Sequence, residues 1–137
     1  MIFMLIPCTY AFNLTGTWKL LSIERQTKSD HWIPDCASPK GLLIYTAEGY
    51  MAAGINCMKT PHSKIPSFSH KDMTFYMGKY SFNQHYVIHS VITSDSGSLY
   101  GKNLTRKIII KNKNQIILLV NKDHHLIRLK WQKIKKV

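Results

Sequence analysis

Hydrophobic and polar residues alternate with a period of two along most of the 137-residue chain. This alternation is typical of β-strands that bury one face. It predicts strands over 17–26 and on either side of turns at 47–49 and 83–84. Three more are predicted towards the C-terminus, in GKNLTRKIIIK, QIILLVNK and LIRLKWQKI. Short strands joined by tight turns indicate an all-β antiparallel meander closed into a barrel, because closure leaves no unpaired edge.

One segment, PSFSHKDMTFYMG, breaks the alternation. Ser69 is followed three residues later by Asp72, the pattern of a helix N-cap with an acidic first turn. This pattern predicts one short helix near residues 70–77, ended by Gly78, that would plug one end of the barrel. The preceding stretch, 56–68, contains two prolines and is expected to form a long loop of the kind that often acts as a lid.

The length favours a single domain over residues 1–137, and 45% hydrophobic residues are enough to fill its core. No apolar run approaches the roughly 18 residues of a membrane-spanning segment. Residues 1–13 are apolar and short, and two interpretations stay open for them: a flap over a barrel end or a vestigial signal. A cytoplasmic location is favoured, with a secreted or periplasmic one as the alternative.

The net charge of +12 comes mainly from lysine and is spread over every segment. Proteins that recognise bases and phosphates specifically favour arginine, which forms two parallel hydrogen bonds to them. This chain has few arginines, so its composition argues against a nucleic-acid partner. Weak association with anionic surfaces stays open.

Three cysteines at irregular spacing give neither a disulfide framework nor a zinc motif. A Cys36–Cys57 bridge is conceivable, but free thiols are favoured. His85 and His89 share one strand face roughly 13 Å apart, too far to share a metal ion. We expect no metal site and no cofactor.

Alternation places Arg106 on the inward face of its strand, among Leu104, Ile108 and Ile110. A buried arginine keeps its charge and needs an acidic or anionic partner. Glu24, in the same inward register as Trp18, is one candidate partner, and a ligand carboxylate or enolate is the other. His89 is expected to be either a hydrogen-bonded core residue or a general acid–base group.

Tyrosines are the remaining candidates for ligand contacts. Tyr45 lies on one face of the hairpin GLLIYTAEGYMA, which turns at Gly49. This hairpin is predicted to form part of a cavity wall. Tyr76, Tyr80 and Tyr100 are expected to add phenols near the rim, although packing alone explains each of them. We select Arg106, His89, Tyr45, Glu24 and Tyr80 as candidate ligand-binding residues.

The motifs LTGTWKLLSIE, PKGLLIYTAEGYMAA, YMGKYSF, YVIHSVITS, LTRKIII and HLIRLKWQKI occur in an order and spacing that resemble the bacterial and fungal lipocalin-like domain family over residues 14–134. The resemblance implies a calycin-type up-and-down barrel of eight to ten strands with an internal cavity. It also implies that Trp18 packs against the last strand at the barrel base, where Lys133 stands in place of the family's usual arginine. The family supplies no universal catalytic residues.

The leading functional hypothesis is binding of a small hydrophobic or carboxylate-bearing molecule in a cavity of several hundred Å³. One alternative is a cofactor-free isomerase or cyclase that acts in the same cavity. The other is a basic interaction module that contacts an acidic partner or a membrane.

Overall fold

The computed structural model describes residues 11–57 and 73–135. These residues form nine strands: β1 (Gly16–Gln26), β2 (Trp32–Pro34), β3 (Lys40–Tyr45), β4 (Tyr50–Asn56), β5 (Met73–Phe82), β6 (Tyr86–Ser94), β7 (Asn103–Asn112), β8 (Gln115–Lys122) and β9 (His125–Lys133). In the described ranges, no helix is long and apolar enough to cross a bilayer.

The strands form a closed antiparallel barrel in up-and-down order. β1 pairs with β3, each strand from β3 to β8 pairs with the next one along the chain, and β9 returns to pair with β1. Eight strands therefore make the barrel wall. The short strand β2 pairs with the end of β1, beyond the stretch of β1 that pairs with β3. The predicted all-β barrel is confirmed.

Two bulges change which residues face inward. In β1 the register shifts between Leu20 and Ser22, and Leu21 is the extra residue. A bulge adds one residue to one strand, so the alternation reverses beyond it. Ile23 is therefore buried, and Glu24 lies on the outer face. The predicted inward position of Glu24 was wrong for this reason.

A second bulge lies between β5 and β6, where Met77 pairs with Thr93 and Gly78 pairs with Val91. The strands approach so closely there that a Cβ on Gly78 would collide with the carbonyl of Ser90. Glycine is thus required by the close approach of two backbones.

The predicted helix near 70–77 was wrong over residues 73–77, which belong to β5. Residues 70–72 and most of the predicted lid loop lie outside the described residues. Strand β5 hydrogen-bonds to β4 on one side and to β6 on the other, and Thr74, Phe75 and Tyr76 are residue types that favour strands. Pairing on both sides outweighed a local capping signal.

The base of the barrel closes around Trp18, which is completely buried. Its indole Nε1 donates to the carbonyl of Leu14, and the ring of Phe12 lies 6.2 Å from its own. The Lys133 ammonium lies 5.0 Å from the Trp18 ring centroid. The cation–aromatic contact at the base is thus made by lysine here.

Cys36 and Cys57 form a disulfide between the loop after β2 and the end of β4. The expectation of free thiols was wrong for this pair. The barrel brings their Cα atoms within 5.2 Å, which is inside the usual range for a bridge. Their separation of 21 residues along the chain did not reveal that proximity.

Candidate ligand-binding chamber

The barrel encloses a chamber of about 160 Å³. Its walls are inward-facing side chains of the barrel strands, and most of them are apolar: Ile23, Leu43, Ala53, Ile55, Leu118, Val120, Ile127, Leu129 and Trp131. Alternation along each strand produces this lining, because every second residue of a barrel strand points inward. The chamber is smaller than the several hundred Å³ expected from the sequence.

His89 forms the polar centre of the chamber wall. It is 1% exposed, and a tyrosine hydroxyl lies at each ring nitrogen. The Tyr45 hydroxyl is 2.7 Å from Nε2, and the Tyr76 hydroxyl is 2.8 Å from Nδ1. Tyr76 and His89 line the chamber. Tyr45 lies on β3, Tyr76 on β5 and His89 on β6, and these strands lie close together in the barrel wall. The barrel thus joins His89 to tyrosines that are 44 and 13 residues away along the chain.

Arg106 is a cationic group in the chamber wall. It lies half-buried on β7 and lines the chamber, as its predicted inward direction requires. Burial, with a smaller contribution from the Arg106 guanidinium, lowers the pKa of His89 from 6.5 to about 3. His89 is therefore a neutral imidazole at physiological pH.

Both tyrosines that flank His89 are held in the neutral form. Burial raises the pKa of Tyr45 well above its ordinary value, and the nearby phenols of Tyr76 and Tyr80 act in the same direction. Burial also raises the pKa of Tyr76, although charge and hydrogen bonding from Arg106 oppose that rise. Tyr76 and Arg106 both line the chamber and the adjoining cleft, so they border the same space.

Trp131 adds an unexpected donor to the wall. The residue is 1% exposed and lines the chamber, and its Nε1 has no hydrogen-bond partner among the described residues. The indole N–H can only donate. A buried donor without an acceptor is costly, so this group favours a ligand that supplies one. The sequence gave no sign of this unpaired nitrogen.

The mouth of the chamber carries Asp35, Cys57 and Lys122. Asp35 forms an ion pair with Arg25 at 3.5 Å. The possible metal-ligand atoms of Asp35, Cys36 and Cys57 lie within 4.8 Å of one another. The two sulfurs are joined in a disulfide, however, and offer no thiolate to a metal ion.

An outer cleft of about 590 Å³ adjoins the chamber. It extends between the loop at 95–99 and strands β7 and β8, and it shares Tyr76 and Arg106 with the chamber. A molecule at Arg106 is therefore within reach of both spaces.

Two of the five candidate residues lie away from the chamber. Glu24 is on the outer face, where Arg128 donates to both carboxylate oxygens at 3.0 and 3.1 Å. Lys130 lies 3.1 Å from the same carboxylate, and these cations, Arg128 above all, lower the pKa of Glu24 against the effect of burial. The predicted Glu24–Arg106 pair is thus replaced by a pair with Arg128. Tyr80 donates its hydroxyl to the carbonyl of Thr46 instead of reaching the chamber.

The other three candidates, Arg106, His89 and Tyr45, form one connected group with Tyr76. Tyr76 was expected near the rim, and the structure places its hydroxyl on His89. Tyr45 lies behind His89, does not line the chamber, and is 1% exposed as a residue.

A closed eight-stranded up-and-down barrel with an internal chamber defines a calycin-type β-barrel protein. The sequence model of the lipocalin-like domain family matches residues 15–134, and the chain belongs to that family. The comparison with curated proteins gives no match. A lipocalin-like barrel fits the binding of small molecules in general.

Proposed function

We propose that this protein binds a small, mainly apolar molecule in the barrel chamber, with the polar end of the molecule directed towards Arg106. The observation that carries this proposal is a mainly apolar chamber whose wall includes the cationic side chain of Arg106. Its volume of about 160 Å³ is close to that of an engineered apolar cavity that holds benzene. A single ring or a short branched chain therefore fits inside.

Two contacts favour binding over the alternative of an isomerase or cyclase. A general base needs a free lone pair that reaches the substrate. Both ring nitrogens of His89 are engaged by tyrosine hydroxyls, and the Glu24 carboxylate lies outside the chamber with Arg128. Neither His89 nor Glu24 is therefore in a position to abstract a proton from a molecule in the chamber.

The test compares two alanines that are adjacent on β4. Ala53 lines the chamber, and Ala52 faces the outside. Toluene is the probe, with binding followed by NMR shifts of the Trp131 indole N–H. Wild type and Ala52→Leu should bind toluene, and Ala53→Leu should lose binding because its larger side chain fills the chamber. Absence of binding to wild type, or equal binding by both variants, would contradict the proposal.

A second candidate function is weak association with an anionic membrane surface. It is favoured by an exposed apolar strip on the outer face of β3 to β5. Leu42 and Phe75 flank Gly54 in one row, and Ile44 and Met77 flank Ala52 in the next. A basic-edged apolar strip of this kind suits anionic lipid.

Three exposed lysines surround this strip. Lys19 pairs with Leu42 across β1 and β3, Lys40 precedes Leu42 by two residues, and Lys79 follows Met77 by two. Co-sedimentation with phosphatidylserine vesicles should be detectable at low salt and should weaken in Lys19→Gln/Lys79→Gln. The matched control is Lys111→Gln/Lys113→Gln, which lies on β7 and the turn after it. Equal binding by both double variants, or by neutral phosphatidylcholine vesicles, would argue against this candidate.

A further inference from the structure

The two tyrosines at His89 differ in what surrounds their hydroxyls. Tyr76 lines the chamber and the outer cleft. Tyr45 lines neither, and His89 is the hydrogen-bond partner of its hydroxyl among the described residues. A tyrosine hydroxyl has one proton to donate and can also accept. The difference in surroundings therefore decides how the protons are arranged.

A neutral imidazole carries a proton on one ring nitrogen and a lone pair on the other. If Nε2 carried the proton, it would donate to Tyr45, and the Tyr45 hydroxyl proton would be left without an acceptor in the core. If Nδ1 carries the proton, Tyr45 donates to Nε2 and Nδ1 donates to the oxygen of Tyr76. The second arrangement satisfies both buried groups, and an unsatisfied buried hydroxyl costs about 1–3 kcal/mol.

In the second arrangement the hydroxyl proton of Tyr76 is not used by His89. Tyr76 is then free to donate that proton into the space that it lines with Arg106. We infer that the chamber recognises an oxygen anion, a carboxylate, that accepts hydrogen bonds from the Tyr76 hydroxyl and the Arg106 guanidinium, with His89 directing the Tyr76 hydroxyl. This inference rests on the proposed function and specifies the chemical class of the ligand's polar end.

Independent support comes from Trp131, which lies on β9. Its indole N–H lines the same chamber and lacks an acceptor among the described residues. The chamber thus presents donors from Arg106, Tyr76 and Trp131. The carboxylate of Asp35 at the mouth is engaged with Arg25. A ligand rich in acceptors satisfies this set, whereas an ammonium group would bring a further donor and a like charge.

The first experiment uses four probes with one ring and different polar ends: toluene, benzamide, benzoate and benzylamine. Dissociation constants are measured at pH 7 by NMR titration, with the Trp131 indole signal as the reporter. The Trp18 indole N–H, which is already bonded to Leu14, is the internal control. Benzoate should bind about tenfold more tightly than benzamide, because hydrogen bonds to a charged group are the stronger ones. Benzylamine should bind most weakly.

Two conservative substitutions test the donors. Tyr76→Phe keeps the ring and should weaken benzoate binding about tenfold while leaving toluene binding within about twofold. Its control is Tyr50→Phe, which removes an exposed hydroxyl. Arg106→Gln should weaken benzoate binding at least as much. Its control is Lys107→Gln, the adjacent outward residue on β7, which makes the same change in net charge.

The outcomes separate the inference from the proposed function. If toluene binds but benzoate binds no more tightly than benzamide, the carboxylate inference fails, whereas the proposal of an apolar binding chamber is still supported. If neither probe binds, both fail. A third measurement needs no variant: the nitrogen-15 shifts of the His89 ring identify which nitrogen carries the proton. Protonation at Nε2 would overturn the directing role of His89, and protonation at Nδ1 would support it.

Discussion

Acidification below pH 6.5 is expected to destabilise this barrel through His89. Burial, and then the charge of Arg106, lower the pKa of His89 from 6.5 to about 3 in the native state. The unfolded chain regains the ordinary value. Between these two values the unfolded state binds one more proton than the native state, so the free energy of unfolding falls as the pH falls. The contribution is fully present above pH 6.5 and is lost progressively towards pH 3.

The size of the effect follows from the difference between the two states. One pH unit corresponds to about 1.4 kcal/mol for a proton bound by the unfolded state alone. A change from pH 8 to pH 5 should therefore lower the free energy of unfolding by about 2 kcal/mol through this residue. The lowered pKa of Glu24 acts only below about pH 4.5, and the raised pKa values of Tyr45 and Tyr76 act only above about pH 10.

Urea unfolding at pH 8 and pH 5 measures this directly. A loss of 2 kcal/mol moves the midpoint by about 1 M if the denaturant slope is about 2 kcal/mol per M. His89→Gln should lower stability at pH 8 and remove most of the pH dependence, whereas His85→Gln, on the exposed turn before β6, should keep it. An equal change between pH 8 and pH 5 in wild type and His89→Gln would refute the reasoning.

Two further predictions concern the barrel itself. Gly78→Ala should destabilise the protein by about 3 kcal/mol in urea unfolding, because the added methyl meets the backbone carbonyl of β6, whereas Gly97→Ala has open space and should stay within about 0.5 kcal/mol of wild type. Equal stability of these two variants would disprove the close approach of the strands. Reduction of Cys36–Cys57 should lower the free energy of unfolding by about 3 kcal/mol, since the bridge closes a loop of 21 residues, and the Cys36→Ser/Cys57→Ser variant should show no response to reductant. A wild-type midpoint unchanged by reductant would contradict that contribution.

The alternation of residues was enough to predict the barrel and much of its interior. It placed Arg106 on an inward face, and the structure confirms that direction. A side chain in a strand points to one face or the other, so a regular period of two carries that information locally. The resemblance to the lipocalin-like domain family rested on the same segments that form the strands.

The period failed wherever the tertiary structure inserted a residue. Leu21 is the extra residue of the bulge in β1. Because of this insertion, Glu24 lies on the outer face, where it pairs with Arg128 on β9, and not in the interior. Ile92 is the extra residue opposite Gly78, and it moved Thr93 to the outer face. A bulge is set by the pairing of two strands, so one strand's own sequence does not reveal it.

The sequence by itself thus determined most of the strands, their meander and the inward direction of Arg106. Only the tertiary structure decided that two tyrosines from β3 and β5 meet at the ring of His89, and that the Trp131 nitrogen lacks an acceptor among the described residues. The physical reason is that alternation fixes a direction for each side chain, whereas a hydrogen bond fixes a distance between atoms on separate strands. That distance depends on register and barrel closure, which are properties of the whole sheet.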